Sequence, residues 1–141
     1  MMKNGFGSLI IASFILVGGT SAYPDDSGEQ AATTASNRWL QLVDKGQYSQ
    51  SWNQASQYFK NHVKRAQWQA QVSAARSPFG KVIERKLRST NPATSLPGAP
   101  DGNYVVIQYD TAFEKKNAAV ETVTPMKEAN GEWRVSGYFI K

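Results

Sequence analysis

Acid–base chemistry in this chain rests on few side chains. Asp110 and Glu121 fall opposite each other when the second half is folded into hairpins. Paired carboxylates can share a proton, which lifts one pKa into a useful range. On a face turned away from the helices, two solvated carboxylates are the simpler reading, because such pairs need burial. Arg85 sits between Ile83 and Leu87 at a spacing of two, so it can point into the domain. There a guanidinium suits a carboxylate or phosphate; the plain alternative is an edge-strand arginine whose head reaches water. His62, the one histidine, has no nearby carboxylate to orient it and reads as a surface residue at a helix start.

The remaining candidates concern binding. Tyr109, Thr122 and Thr124 put polar atoms on the expected inner strand face and, with Arg85, make the expected ligand-contacting set. Trp39, Trp52, Trp68 and Trp133 either line a pocket or, by default, fill the core. Ser51 and Ser56 lack the order and elbow of a serine hydrolase. Lys60, Lys64, Arg65, Lys81, Arg85, Lys86 and Arg88 make the middle basic, which with interspersed acids reads as a solvated face rather than a nucleic-acid site. No catalytic residue, metal ligand or cofactor is assigned.

These side chains need elements to position them. Residues 27–76 read as helices. Ser27 and Gln30 have capping-box spacing, and Ala32, Ala35, Trp39, Leu42 and Val43 follow at helical intervals. Gly46 marks a stop. Ser49 opens a second helix carrying Trp52, Ala55 and Phe59. A third spans 62–76 with Trp68, Val72 and Ala75 on one side, ended by Pro78 and Gly80.

Residues 81–141 change to period two. Strands are expected over 82–88, 104–113, 118–126 and 132–140, with a loop at 92–102. Asn130-Gly131 is a hairpin signal. A two-residue loop there faces Met126 to Val135 and Thr122 to Phe139. A four-residue loop at 114–117 faces Tyr109 to Thr122 and Val105 to Met126. One face then collects Val105, Ile107, Tyr109, Phe113, Val120, Met126, Trp133, Val135 and Phe139, and should pack on the helices. The other carries Tyr104, Val106, Gln108, Asp110, Glu121, Val123, Arg134, Tyr138 and Ile140. Such a mixed patch suggests a weak homodimer through Tyr104, Val106, Val123 and Tyr138.

Composition limits the rest. The chain has 141 residues, no cysteine and a formal charge of +5. That suits one domain and excludes disulfides, thiol nucleophiles and cysteine metal sites. Residues 1–22 read as a secretory signal peptide: Lys3, an apolar run from Phe6 to Val17, then Thr20-Ser21-Ala22. Twelve residues reach only ~18 Å as helix, short of a ~30 Å hydrocarbon core. Cleavage after Ala22 is expected, leaving a periplasmic or secreted chain that is not inserted in the membrane.

Four segments carry a resemblance: "RWLQLVDKGQYSQSWNQASQYFK" from Arg38, "RSPFGKVIERKL" from Arg76, "LPGAPDGNYVVIQYDTAFEKK" from Leu96 and "ETVTPMKEANGEWRVSGYFIK" from Glu121. In this order they are similar to the exported bacterial family called domain of unknown function 4019. The order of helices and strands resembles the nuclear-transport-factor-2-like, or cystatin-like, superfamily. What the resemblance implies is an α+β fold, N-terminal helices packed on a curved four-stranded antiparallel meander, and no carried-over site residues. That superfamily includes isomerases, dehydratases and binding modules, so fold alone does not choose. The expectation is a non-catalytic module for a small apolar ligand or an envelope protein. The alternatives are a proton-transfer enzyme or a structural homodimer.

Overall fold

The structure, a computed structural model, describes residues 24–141. The expected leader and its cleavage site lie outside the described residues, as does the side chain of Ser27. Residues 31–141 form one compact unit; the other runs to Gln30 and is described from Pro24 as the opening turns of a helix.

Four helices come first: α1 Pro24–Asp44, α2 Tyr48–Asn53, α3 Gln57–His62 and α4 Arg65–Arg76. The stretch expected as one second helix is two. Ser56 leaves helical geometry at ψ 156°, and its hydroxyl accepts from the Phe59 N–H at 3.0 Å, so it caps α3. His62 ends α3 rather than opening α4. The helical stripes hold in the main: of the expected residues Ala32, Trp39 and Val43 of α1, Ala55, Phe59 of α3, and Trp68 and Val72 of α4 are buried in one cluster, which Leu40 joins, while Ala35, Leu42 and Ala75 are half-buried. Indole N–H groups in such a core need acceptors. Trp39 donates to the Ser51 carbonyl at 2.8 Å, Trp68 to the Ser51 hydroxyl at 2.9 Å, and Trp52 to the Val63 carbonyl at 2.7 Å. Buried Ser51 is thus the polar anchor between two tryptophans. Among the described residues no helix is long and apolar enough to cross a membrane.

A short 3₁₀ turn, Ser77–Phe79, leads to four strands: β1 Val82–Ala93, β2 Tyr104–Phe113, β3 Lys116–Lys127 and β4 Trp133–Ile140. They pair antiparallel in chain order and form an open sheet. The α+β class and the meander stand as expected. β1 runs five residues past the expected end at Arg88, to Ala93.

Register is where expectation and structure part. The β2–β3 turn is Glu114-Lys115, two residues, with Phe113 opposite Lys116. A turn two residues shorter would by itself keep the faces, but a bulge between Thr111 and Phe113 adds a one-residue shift, so Tyr109 faces Glu121 rather than Thr122, and Tyr104 faces Met126. A one-residue slip swaps the faces of a strand. Ala119, Glu121, Val123 and Pro125 of β3 are buried, while Val120, Thr122, Thr124 and Met126 are not. Across the β3–β4 turn Glu128 and Glu132 share a backbone bond at 2.7 Å, leaving three residues closed by Gly131 at φ 90°. Pro125 faces Val135 and Met126 faces Arg134. Ser136 and Gly137 then bulge opposite Thr124, which restores the expected pairing of Thr122 with Phe139 but turns Tyr138 inward. Phe139, expected in the core, is 59% exposed. Tyr104 and Val123, expected on an outer interface, are 2% and 0% exposed. Val123 and Tyr138 turn inward, and Tyr104, still on the outer side opposite Met126, is buried with its hydroxyl on the Pro100 carbonyl, so of the four expected interface residues only Val106 stays open on that face and the patch does not exist as drawn.

Candidate functional site

The slip in β3 carries Glu121 into the domain. Its residue is 0% exposed. Oε1 accepts from Arg85 Nε at 2.7 Å and from the Thr111 hydroxyl at 2.7 Å; Oε2 accepts from the Tyr138 hydroxyl at 2.5 Å. Asp110 lies on the opposite face, exposed, in a surface pair with Arg88 at 3.0 Å. The two carboxylates are therefore not paired, and the simpler reading of two solvated acids holds for Asp110 but not for buried Glu121; each acid has a basic partner of its own.

Arg85 does point inward, as its spacing from Ile83 and Leu87 allowed. Its fork grips Asp44 at the end of α1 through Nη1 at 2.8 Å and Nη2 at 2.9 Å. Arg76, at the end of α4 and itself buried, reaches the same carboxylate through Nη2 at 2.9 Å and lies 3.9 Å from Glu121. Its cation stacks 4.8 Å over the Phe113 ring, while Nε and Nη1 make no hydrogen bond within the protein. Two acids and two arginines make the cluster neutral. Removing one member strands its partners, because buried charge without compensation is costly.

The electrostatics follow from this packing. Burial raises the Asp44 pKa, but the Arg85 and Arg76 contacts outweigh it and hold the carboxyl below the usual range. Burial lowers the Arg85 value, yet bonding to Asp44 and Glu121 leaves it raised. Tyr138 is pushed well up by burial and by the adjacent Glu121 carboxylate. Tyr109 is raised, chiefly by burial; its hydroxyl donates to Asn37 Oδ1 at 2.7 Å and shares a hydrogen bond with Ser36 Oγ at 3.0 Å.

Two concavities open beside α1. One, about 380 Å³, is lined by Thr33, Asn37 and Gln41 of α1 with Arg85, Leu87 and Tyr109. It brings together two of the four expected ligand contacts. The other two, Thr122 and Thr124, lie on the far side of the sheet, where Thr122 accepts from Gln108 at 3.3 Å. The second concavity is a groove of about 600 Å³ on the opposite flank of α1. Trp39, Leu42, Trp133 and Val135 give it apolar walls, Ala31 and Ala35 make room, and Arg38, Gln50, Gln54 and Arg134 stand at the rim. Arg134 is held by Glu132 at 2.7 Å and by the Gln54 carbonyl at 3.3 Å.

Of the aromatics, Trp39 and Trp68 are core, Trp52 is half-buried between Lys60 and Arg65, and Trp133 packs its inner side on the core while lining the groove. His62 is on the surface, stacked 4.3 Å from Tyr58 with Nδ1 at 2.8 Å from the Tyr58 carbonyl. Among the described residues no group of three or more acids or histidines is placed to hold a metal ion. Sequence reasoning missed Asp44, Arg76 and Thr111. For Arg76 there was a signal: it continues the Trp68, Val72 spacing of four into the inner face of α4.

No curated protein matches the chain. A family model described as protein of unknown function (DUF4019) matches residues 35–138. That span runs from the groove-lining Ala35 to Tyr138 on Glu121, so it takes in the ionic cluster and most of both concavities. The chain belongs to the DUF4019 family.

Proposed function

We propose that this domain is a non-catalytic binding module, and that its ligand is a small molecule with an apolar body and an anionic or hydrogen-bonding end. The observation that carries the reading is the groove beside α1. About 600 Å³ is the size of a small-molecule site, and its apolar walls with a few polar groups at the rim are the usual make-up of one. The indole of Trp133 and the side chain of Leu42 serve the body. The guanidiniums of Arg38 and Arg134 and the amides of Gln50 and Gln54 serve the polar end.

The direction of the pKa shifts weighs against proton transfer. A general acid or base works best with a pKa near the operating pH. Asp44 moves down, and Arg85, Tyr109 and Tyr138 move up, each away from neutrality. The ionic cluster fits a structural role, tying the ends of α1 and α4 to β1 and β3.

The probe for this reading is 1-anilinonaphthalene-8-sulfonate, an apolar ring system with one anionic group. Saturable binding to the folded protein is expected, weakened at least about tenfold by Trp133→Ala or by the pair Arg38→Gln and Arg134→Gln, as loss of a stacking surface or of two charge-assisted bonds implies. Binding that ignores all three substitutions sinks the groove as the site. The proposal includes action in the cell envelope. N-terminal sequencing of the periplasmic protein should give Tyr23 first, and a start at Met1 in a membrane fraction sinks that part.

A further inference from the structure

β1 is an outer strand of the sheet, and among the described residues one side of it carries no partner strand. Edge strands are usually protected by bulges and charges. β1 has both, but their placement leaves a gap. Its register shifts fall between Val82 and Glu84 and between Leu87 and Ser89, which leaves Glu84, Arg85, Lys86 and Leu87 as a regular run. Leu87 closes this run and Ile83, the extra residue of the first bulge, stands just before it; at 54% and 67% exposed they are two of the three large apolar residues most exposed in the described chain. Glu84 and Lys86 are exposed as well, and form an ion pair at 3.6 Å.

The order of these residues is self-complementary. Read along Ile83-Glu84-Arg85-Lys86-Leu87, the pattern is apolar, acid, arginine, base, apolar. When two copies pair antiparallel about Arg85, Ile83 faces Leu87 of the other copy and Glu84 faces its Lys86, each twice by symmetry. Both kinds of cross-strand pair are stabilising. The one like-charge meeting, Arg85 with its copy, is already compensated, since each guanidinium is bound to Asp44 and Glu121 within its own chain. Shifting the centre by one residue, to Lys86, sets that lysine against itself and Ile83 against Ser89, so the charges select one register.

We propose that β1 is a self-association edge: two copies join antiparallel through residues 83–87, centred on Arg85, to make one eight-stranded sheet. A contact of about five residues a side is smaller than a standard interface, so the dimer is weak and concentration-dependent. It is separate from the groove beside α1, which stays open in both copies.

The test is sedimentation velocity on the purified protein from about 10 μM to about 1 mM, the range in which a small contact dissociates. A reversible monomer–dimer equilibrium is expected. Glu84→Lys and Lys86→Glu, each creating two like-charge pairs, should weaken it at least about fivefold. The double variant Glu84→Lys with Lys86→Glu should restore it, because the pairs are again opposite in sign. Ile83→Lys should abolish it, and Val106→Glu on the outer sheet face should leave it unchanged. All these side chains are exposed or half-exposed, so folding is not at risk, and circular dichroism confirms it. A wild type that stays monomeric to about 1 mM overturns the proposal. So does a dimer indifferent to Ile83→Lys, or a double variant as weak as the single ones.

Discussion

Replacing Glu121 by glutamine tests the ionic cluster with little change of shape. The two side chains have nearly the same volume, so no cavity contribution enters. What changes is charge and acceptor count. The carboxylate accepts from Arg85, Thr111 and Tyr138 and sits 3.9 Å from Arg76. A glutamine offers one oxygen, so its amide group meets either the Arg85 donor or the Tyr138 hydroxyl. The local charge goes from zero to +1, with Arg76 buried and Arg85 mostly so. Breaking a buried pair by removing one partner costs about 3–5 kcal/mol. Against a total stability of about 5–15 kcal/mol this is a large share. With a urea slope of about 1–3 kcal/mol/M, the midpoint should fall by at least about 1 M at unchanged slope. Asp110→Asn is the matched control. Its pair with Arg88 is half-exposed on both sides, and it should shift stability by no more than about 0.5 kcal/mol. Equal small effects, both under about 1 kcal/mol, would mean that water reaches Glu121 and that the inward register of β3 is wrong.

Three further outcomes are expected. Asp44 has a lower pKa folded than unfolded, so its contribution is fully present above the unfolded value of about 3.9 and is lost as pH falls through the lower folded one; wild-type stability should drop more steeply below about pH 4 than that of Asp44→Asn, measured by urea melts across pH. Trp39→Ala should cost about 3–5 kcal/mol, whereas Phe139→Ala, on the solvent side, should cost under about 1 kcal/mol; comparable losses would mean that the β4 bulge is misplaced. Gly80→Ala should cost more than Gly131→Ala in thermal melts. Both have positive φ, but a Cβ at Gly80 meets the Glu114 carboxylate at 2.8 Å, and one at Gly131 meets open space.

Periodicity made the helical stripes and the inner face of β2 legible, because Trp39, Trp68, Ile107 and Tyr109 each repeat a spacing that one face must satisfy. It failed on β3 for a local reason. Ala119 to Pro125 carries no run of large apolar residues on either face, so only the geometry of the preceding turn fixed its phase; the turn at Glu114-Lys115 is two residues shorter than its polar composition suggested, which alone keeps the faces, and the bulge between Thr111 and Phe113 supplies the one-residue slip. The same error hid the cluster. Glu121 reads as a solvent-facing acid until it is known that Arg85 and Arg76 arrive beside it from 36 and 45 positions away in the chain. Tyr138 was misplaced by the Ser136-Gly137 bulge, which no alternation pattern announces. Arg85 was legible only in part: its spacing from Ile83 and Leu87 allowed the inward direction it takes, but an edge arginine with its head in water fitted the same spacing.

The meander has a kinetic consequence. Every strand pairs with its neighbour in the chain, so hairpins can close early at small entropic cost. The Asp44 contacts close loops of 32 and 41 residues, and Arg85 to Glu121 closes 36. Such links are expected to come together after the strands have assembled, because the loop-closure cost of a long separation is met last. Substitutions in the cluster should therefore leave the refolding limb of a chevron almost unmoved and steepen escape from the native state, each lost kcal/mol appearing as roughly a fivefold faster unfolding rate. The four charges act as a latch set after assembly, which prolongs the lifetime of the folded domain without guiding its formation.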